Sequence, residues 1–245
     1  IWCAVIFVAC NSSKDEKLAE DTSSSGWPDS IGWWKQNNLR VMQTNLPAYE
    51  ADLNADSLIQ DLLAFSANTL IINAGGIMAF YPTKLPFHYT NPYMKKSVLG
   101  EVIEKCHKNN IKVIVRFDFS RVHESIFKEH PDWCYISPKG DRIINTDMYV
   151  VSINAPYVQE KAFRIIEEVI NTFPVDGIFL NMPGYQVRNA YEGKYHGIEQ
   201  NKYDQESFFR YSGMKLPLEE KKDDPVFQKY LAFKKATIED WSKRL

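Results

Sequence analysis

Apolar residues follow two alternating patterns along this chain. Short continuous runs rich in Val, Ile and Phe fall at 39–46, 69–76, 111–120 and 175–181. Between them lie segments whose apolar residues recur three and four apart. The first carries Leu58, Ile59, Leu62 and Leu63 behind a capping Asn54. The second carries Val98, Leu99, Val102, Ile103 and Cys106, and the third covers 156–173 with Pro156 suited to its first turn. Strands and helices alternating at this spacing predict parallel strands joined by crossover helices. Runs without polar alternation fit a parallel sheet covered on both faces. Each run closes on polar residues: Gln43, Thr44 and Asn45; Asn73; Arg116 and Asp118; Asn181. These ends gather on the C-terminal face of the sheet, where parallel α/β folds build their sites. A doubly wound sheet shares that property, but no GxGxxG follows the first run, so a dinucleotide site is not expected.

Beyond 181 the pattern gives two further helices, within 201–213 and 224–245, and no fifth strand. A full eightfold barrel takes roughly 250 residues. The expected fold is therefore α/β, the N-terminal part of a TIM (β/α)8 barrel with about four βα units, occupying 36–245. A polar, Ser-rich stretch at 11–35 cannot bury a core and is expected to be a flexible tether. The preceding "IWCAVIFVAC" is apolar and ends Phe7-Val8-Ala9-Cys10, which resembles the lipobox of a bacterial lipoprotein. On that resemblance 1–10 is a truncated lipoprotein signal segment and Cys10 carries the lipid. The protein is then exported and anchored by lipid at the outer membrane or cell surface. A plain secretory signal or the end of a membrane span is the alternative.

Composition changes this picture little. A net charge of −2 supplies no basic excess for a nucleic-acid partner. The 13% aromatic content suits stacking on sugars and an aromatic core equally. Cys106 and Cys134 are open to pairing or to life as separate thiols. No CxxC or HExxH occurs; His123 and His130, seven apart, could share one helix face as metal candidates. Neither a metal nor a cofactor is expected.

Four segments carry a family resemblance. "HPDWCYISPKGDRI" (130–143), "SINAPYVQEKAFRIIEEVINTFPVDGIFLNMPGY" (152–185) and the later "FFRYSGMKLP" and "YLAFKKATIEDW" resemble hypothetical glycosyl hydrolases with an α-amylase- or α-L-fucosidase-like barrel. The resemblance implies a domain acting on a carbohydrate substrate, and a nucleophilic aspartate at the end of the fourth strand. That place falls on or beside Asn181. An amide cannot form a glycosyl intermediate, but it can hold a sugar hydroxyl. Asn181 is therefore read as a substrate-positioning residue or as a structural cap. Arg116 and Asp118, two apart on one strand face, either line the pocket floor or form an internal ion pair. Asp118 is the candidate catalytic carboxylate. Asn73, Tyr185 and His196 are candidate substrate-binding residues, the last two in a loop rich in Gly and Tyr that could equally be solvated. Trp133 reads as a loop anchor. The expected function is that of an extracytoplasmic glycoside hydrolase-like protein. A glycan-binding surface lipoprotein on a degenerate barrel, or an exported scaffold for protein partners, stands as the alternative.

Overall fold

The computed structural model describes residues 33–35, 38–189 and 192–245. The signal segment, Cys10 and nearly all of the tether lie outside the described residues. Four strands, β1 (Val41–Gln43), β2 (Thr69–Gly76), β3 (Lys112–Asp118) and β7 (Gly177–Asn181), form one parallel sheet in the order β1-β2-β3-β7. The crossovers are α1 (Ala55–Ala64), α2 (Val98–Lys108) and α4 (Ala162–Thr172). Each presents the apolar stripe expected of it: Ile59 and Leu62, Val102 and Ile103, Ile165 and Val169 are buried against the sheet. Asn54 caps α1 by accepting from the Ser57 amide at 3.0 Å. Pro156 stands just before a π-turn over Tyr157–Lys161 that leads into α4. The result is the N-terminal part of a (β/α)8 barrel.

Asn73 does not close its strand. β2 continues to Gly76 past a register shift between Asn73 and Gly75. A bulge of this kind re-aims the side chains that follow it. The long β3–α4 connection is also more ordered than its composition announces. It folds a small antiparallel sheet, β4 (Arg121–Val122), β5 (Ile144–Asn145) and β6 (Met148–Val150), beside a short helix α3 (Glu124–Glu129). α3 is too short to put His123 and His130 on one face. His123 caps its start, accepting from the Ser125 amide, and His130 stacks on the buried Trp133 at 3.7 Å. Among the described residues no group of three or more His, Cys, Asp or Glu is gathered for a metal.

After β7 the chain turns through α5 (Lys202–Ser212) and α6 (Pro225–Lys243). Phe208, Phe227, Tyr230 and Phe233 from these helices form a second aromatic core. α6 returns to the barrel, where the Trp241 indole donates to the Val158 carbonyl at 2.9 Å. Cys106 and Cys134 are buried free thiols, and burial pushes each up to about 12. No helix among the described residues is long and apolar enough to cross a membrane.

Candidate functional site

The N-terminal end of the sheet is closed by a structural carboxylate. Asp176 accepts from the Val113 amide and Lys112 Nζ at 2.9 and 2.8 Å, and its Oδ2 lies 2.7 Å from His107 Nε2. The C-terminal end opens instead into a cleft of about 660 Å³. Asn73, Arg116, Asp118, Asn181 and His196 all line it.

Parallel register sets the centre of the cleft, because Asp118 on β3 is the direct neighbour of Asn181 on β7. Asn181 Nδ2 donates to Asp118 Oδ2 at 2.7 Å. The other carboxylate oxygen accepts from the Ser120 amide at 3.0 Å and the Ser120 hydroxyl at 2.5 Å. Arg116 Nη2 lies 3.8 Å from Oδ2, on the same strand face. Arg116 and Asp118 thus both line the cleft and lie within ion-pair distance of each other. Asp118 is 6% exposed and held by several donors, so the floor carries one carboxylate of fixed orientation. An aspartate at 181 would press a second negative charge against it, whereas the amide donates.

A polar chain behind the floor fixes the end of β2. The Gly76 amide donates to His88 Nε2 at 3.1 Å, which leaves the proton on Nδ1, 3.4 Å from the Tyr81 hydroxyl. Tyr81 in turn donates to Glu168 on α4 at 2.6 Å. Burial holds His88 down at about 4, so its neutral ring can accept from Gly76 at ordinary pH. The Tyr157 hydroxyl donates to the Gly76 carbonyl at 2.6 Å. Asn73 Oδ1 accepts from the Leu46 amide at 3.2 Å, tying the β1 loop to the rim.

His196 reaches the cleft from the loop after β7, where burial lowers its pKa and leaves the ring neutral near pH 7. Tyr185 does not reach it. Its ring packs edge-on to Tyr230 and Phe233, and its hydroxyl accepts from Asn154 at 3.0 Å. It is a core residue joining barrel to tail helices. Ser120, Arg121 and Arg188, which sequence reasoning did not single out, do line the cleft. Their one local signal is that Ser120 and Arg121 directly follow the end of β3.

No curated protein matches the chain in sequence. In fold it is similar to α-L-fucosidase isoenzyme 2 from Paenibacillus thiaminolyticus, with a TM-score of 0.62 and 16% identity over 84% of this chain and 29% of that one. The chain thus spans less than a third of that enzyme's length. Also similar are a hypothetical protein from Ruminiclostridium thermocellum (TM-score 0.48, 13% identity, 65% of this chain and 85% of that one) and the GH36 α-galactosidase AgaB from Geobacillus stearothermophilus (TM-score 0.45, 13% identity, 66% and 24%). The model of the hypothetical glycosyl hydrolase 6 family matches residues 54–182, more than half of the chain and the stretch from the Asn54 cap through Asn181. The chain belongs to the hypothetical glycosyl hydrolase 6 family.

Proposed function

We propose that the cleft holds a glycan and that the protein is an extracytoplasmic glycoside hydrolase-like protein. The observation that carries this reading is the polar cleft at the C-terminal strand ends, with an oriented carboxylate on its floor, in a member of a glycosyl hydrolase family. Asn73, Asn181 and neutral His196 suit sugar hydroxyls, which both donate and accept. Asp118 is suited to accept a hydroxyl or to stabilise positive charge developing at an anomeric carbon. Hydrolysis of a glycosidic bond usually takes two carboxyl groups. Among the described residues Asp118 is the only carboxylate lining the cleft. That favours, as the second reading, a site that binds glycan without cutting it.

A panel of aryl glycosides and oligosaccharides, read for both turnover and binding, separates the two. On the best ligand Asp118→Asn should cost roughly ten- to a hundredfold, the scale of a hydrogen bond to a charged group. Asn181→Ala should cost about two- to tenfold, the scale of a neutral one. If both variants keep their circular dichroism and full activity or affinity, the glycan is not held here. Binding without turnover by the full protein establishes the second reading.

Export is part of the proposal and is supported by the apolar run ending at Cys10 and the polar stretch after it. Cys10→Ala, expressed with the native leader, should move the protein out of the membrane fraction. Identical fractionation of the two forms would remove the lipid anchor from the proposal.

A further inference from the structure

We infer that the cleft is built for an acidic glycan, one bearing a carboxylate or a sulfate ester. The inference rests on the glycan reading above and concerns which glycans qualify. Among the described residues three guanidinium groups line the cleft, those of Arg116, Arg121 and Arg188, against the single carboxylate of Asp118. Arg116 lies beside that carboxylate, on the floor. The other arginine ion pairs among the described residues are Arg164–Glu167 and Arg244–Asp240, both away from the cleft. Arg121 and Arg188 are therefore held by neutral groups alone. Arg121, on β4, donates through Nη1 to the Asn145 carbonyl at 3.4 Å and to the Thr146 hydroxyl, both at the tip of the β5–β6 hairpin. Arg188 sits in an antiparallel bridge with Tyr195, its guanidinium 4.8 Å above the tyrosine ring, and donates to the Gly193 carbonyl at 3.4 Å.

Both cations thus have their positions set without having their charge answered. A neutral sugar has no use for that surplus, since its hydroxyls are served by the amides of Asn73, Asn181 and Gln43 that also line the cleft. The surplus is local to the cleft, because the chain as a whole carries a net charge of −2. A guanidinium offers paired, coplanar N–H donors that match the two oxygens of a carboxylate or sulfate, and it keeps its charge at any ordinary pH. A concave wall carrying two such groups concentrates anionic ligands and discriminates against neutral ones.

The test is binding of the full protein to an oligosaccharide array containing neutral, uronate-containing and sulfated members at physiological ionic strength. Binding is expected to concentrate on the charged members. Comparing uronates with sulfate esters of similar size then identifies the anion. Arg188→Gln, at an exposed position where folding is not at issue, should weaken binding of the charged ligand about tenfold or more. Arg121→Gln should do the same. Arg188→Lys, which keeps the charge and loses the fork, should fall between wild type and Arg188→Gln. Lys235→Gln, on the exposed face of α6, should change nothing, which excludes a general attraction of polyanions to the surface. The inference is overturned if neutral glycans bind as tightly as charged ones, a result that leaves the glycan reading intact. It is also overturned if both arginine variants bind the charged ligand like wild type. Absence of binding to every member sinks both readings at once.

Discussion

Gly76→Ala should cost more than about 3 kcal/mol of the 5–15 kcal/mol typical of a folded domain, and should leave little native protein. Gly76 ends β2 opposite Asp118 in the parallel register, with φ at +101°. A Cβ there would lie 2.1 Å from the Asp118 carbonyl oxygen and 2.5 Å from its carbonyl carbon. Those atoms are backbone in the centre of the sheet and cannot swing aside as a side chain would. The left-handed φ adds about 1–2 kcal/mol for any residue with a Cβ. Relief would have to come from parting β2 from β3, which breaks the Tyr157 and His88 contacts to Gly76 and moves Asp118 with them. Gly213→Ala supplies the comparison. Its φ is +70°, but nothing lies within 4 Å of the added carbon, so it should lose only about 1–2 kcal/mol. Urea unfolding followed by circular dichroism measures both. A Gly76→Ala protein that unfolds at the wild-type midpoint would show that the two strands do not approach this closely.

Glu199→Gln should stabilise the protein above pH 6 and leave it unchanged below about pH 4. Glu199 is 1% exposed, its Oε1 has no hydrogen-bond partner, and Asp204 nearby is also fully buried. Burial, then the neighbouring carboxyl, raises Glu199 well above its ordinary value, and burial raises Asp204 to about 6. A carboxyl whose folded pKa is raised binds its proton more tightly folded than unfolded. Its full contribution to stability is present below the unfolded value and is lost as pH rises toward the folded one. For Glu199 the loss begins near 4.5 and deepens with each further pH unit until the folded group ionises. Glutamine has the same shape and no proton to lose. The wild-type profile alone would hide this, because His88, lowered to about 4, loses stability in the opposite direction as pH falls from 6.5. The difference between variant and wild type at each pH cancels the histidine. A flat difference from pH 4 to 7 would mean that Glu199 is ionised in the folded protein at a cost no greater than in the unfolded one.

The parallel sheet was readable because β2, β3 and β7 are continuous apolar runs and their crossover helices carry unbroken stripes. The centre of the cleft was readable for the same reason. Asp118 and Asn181 end adjacent strands, and strand ends are fixed by the pattern that fixes the strands. What could not be read depends on pairings between distant segments. Arg121 is placed by its bonds to the Asn145–Thr146 tip, and Arg188 by its bridge to Tyr195, and neither partner is implied by local periodicity. Tyr185 sits in the same kind of loop as Arg188, yet it turns into the aromatic core because α5 and α6 bring Phe233 and Tyr230 to it. The end of β2 was misplaced at Asn73 because a bulge followed by two glycines looks like a strand stop until the neighbouring strand supplies the register.

Glu168 accepts from the Tyr81 hydroxyl, the Thr83 hydroxyl and the Lys84 amide, partners 84 to 87 residues earlier in the chain. Contacts of such separation are slow to close, because the chain loses loop entropy before they reward it. The loop after β2 therefore reaches its final shape only once α4 has formed and docked. The β2–β3 pairing precedes that event on the chain and does not wait for it. In order of assembly the β2–β3 pairing comes first, and β7 and the rim of the cleft follow α4. A nascent chain emerging from the ribosome would hold its first strands before it had anywhere to put a ligand.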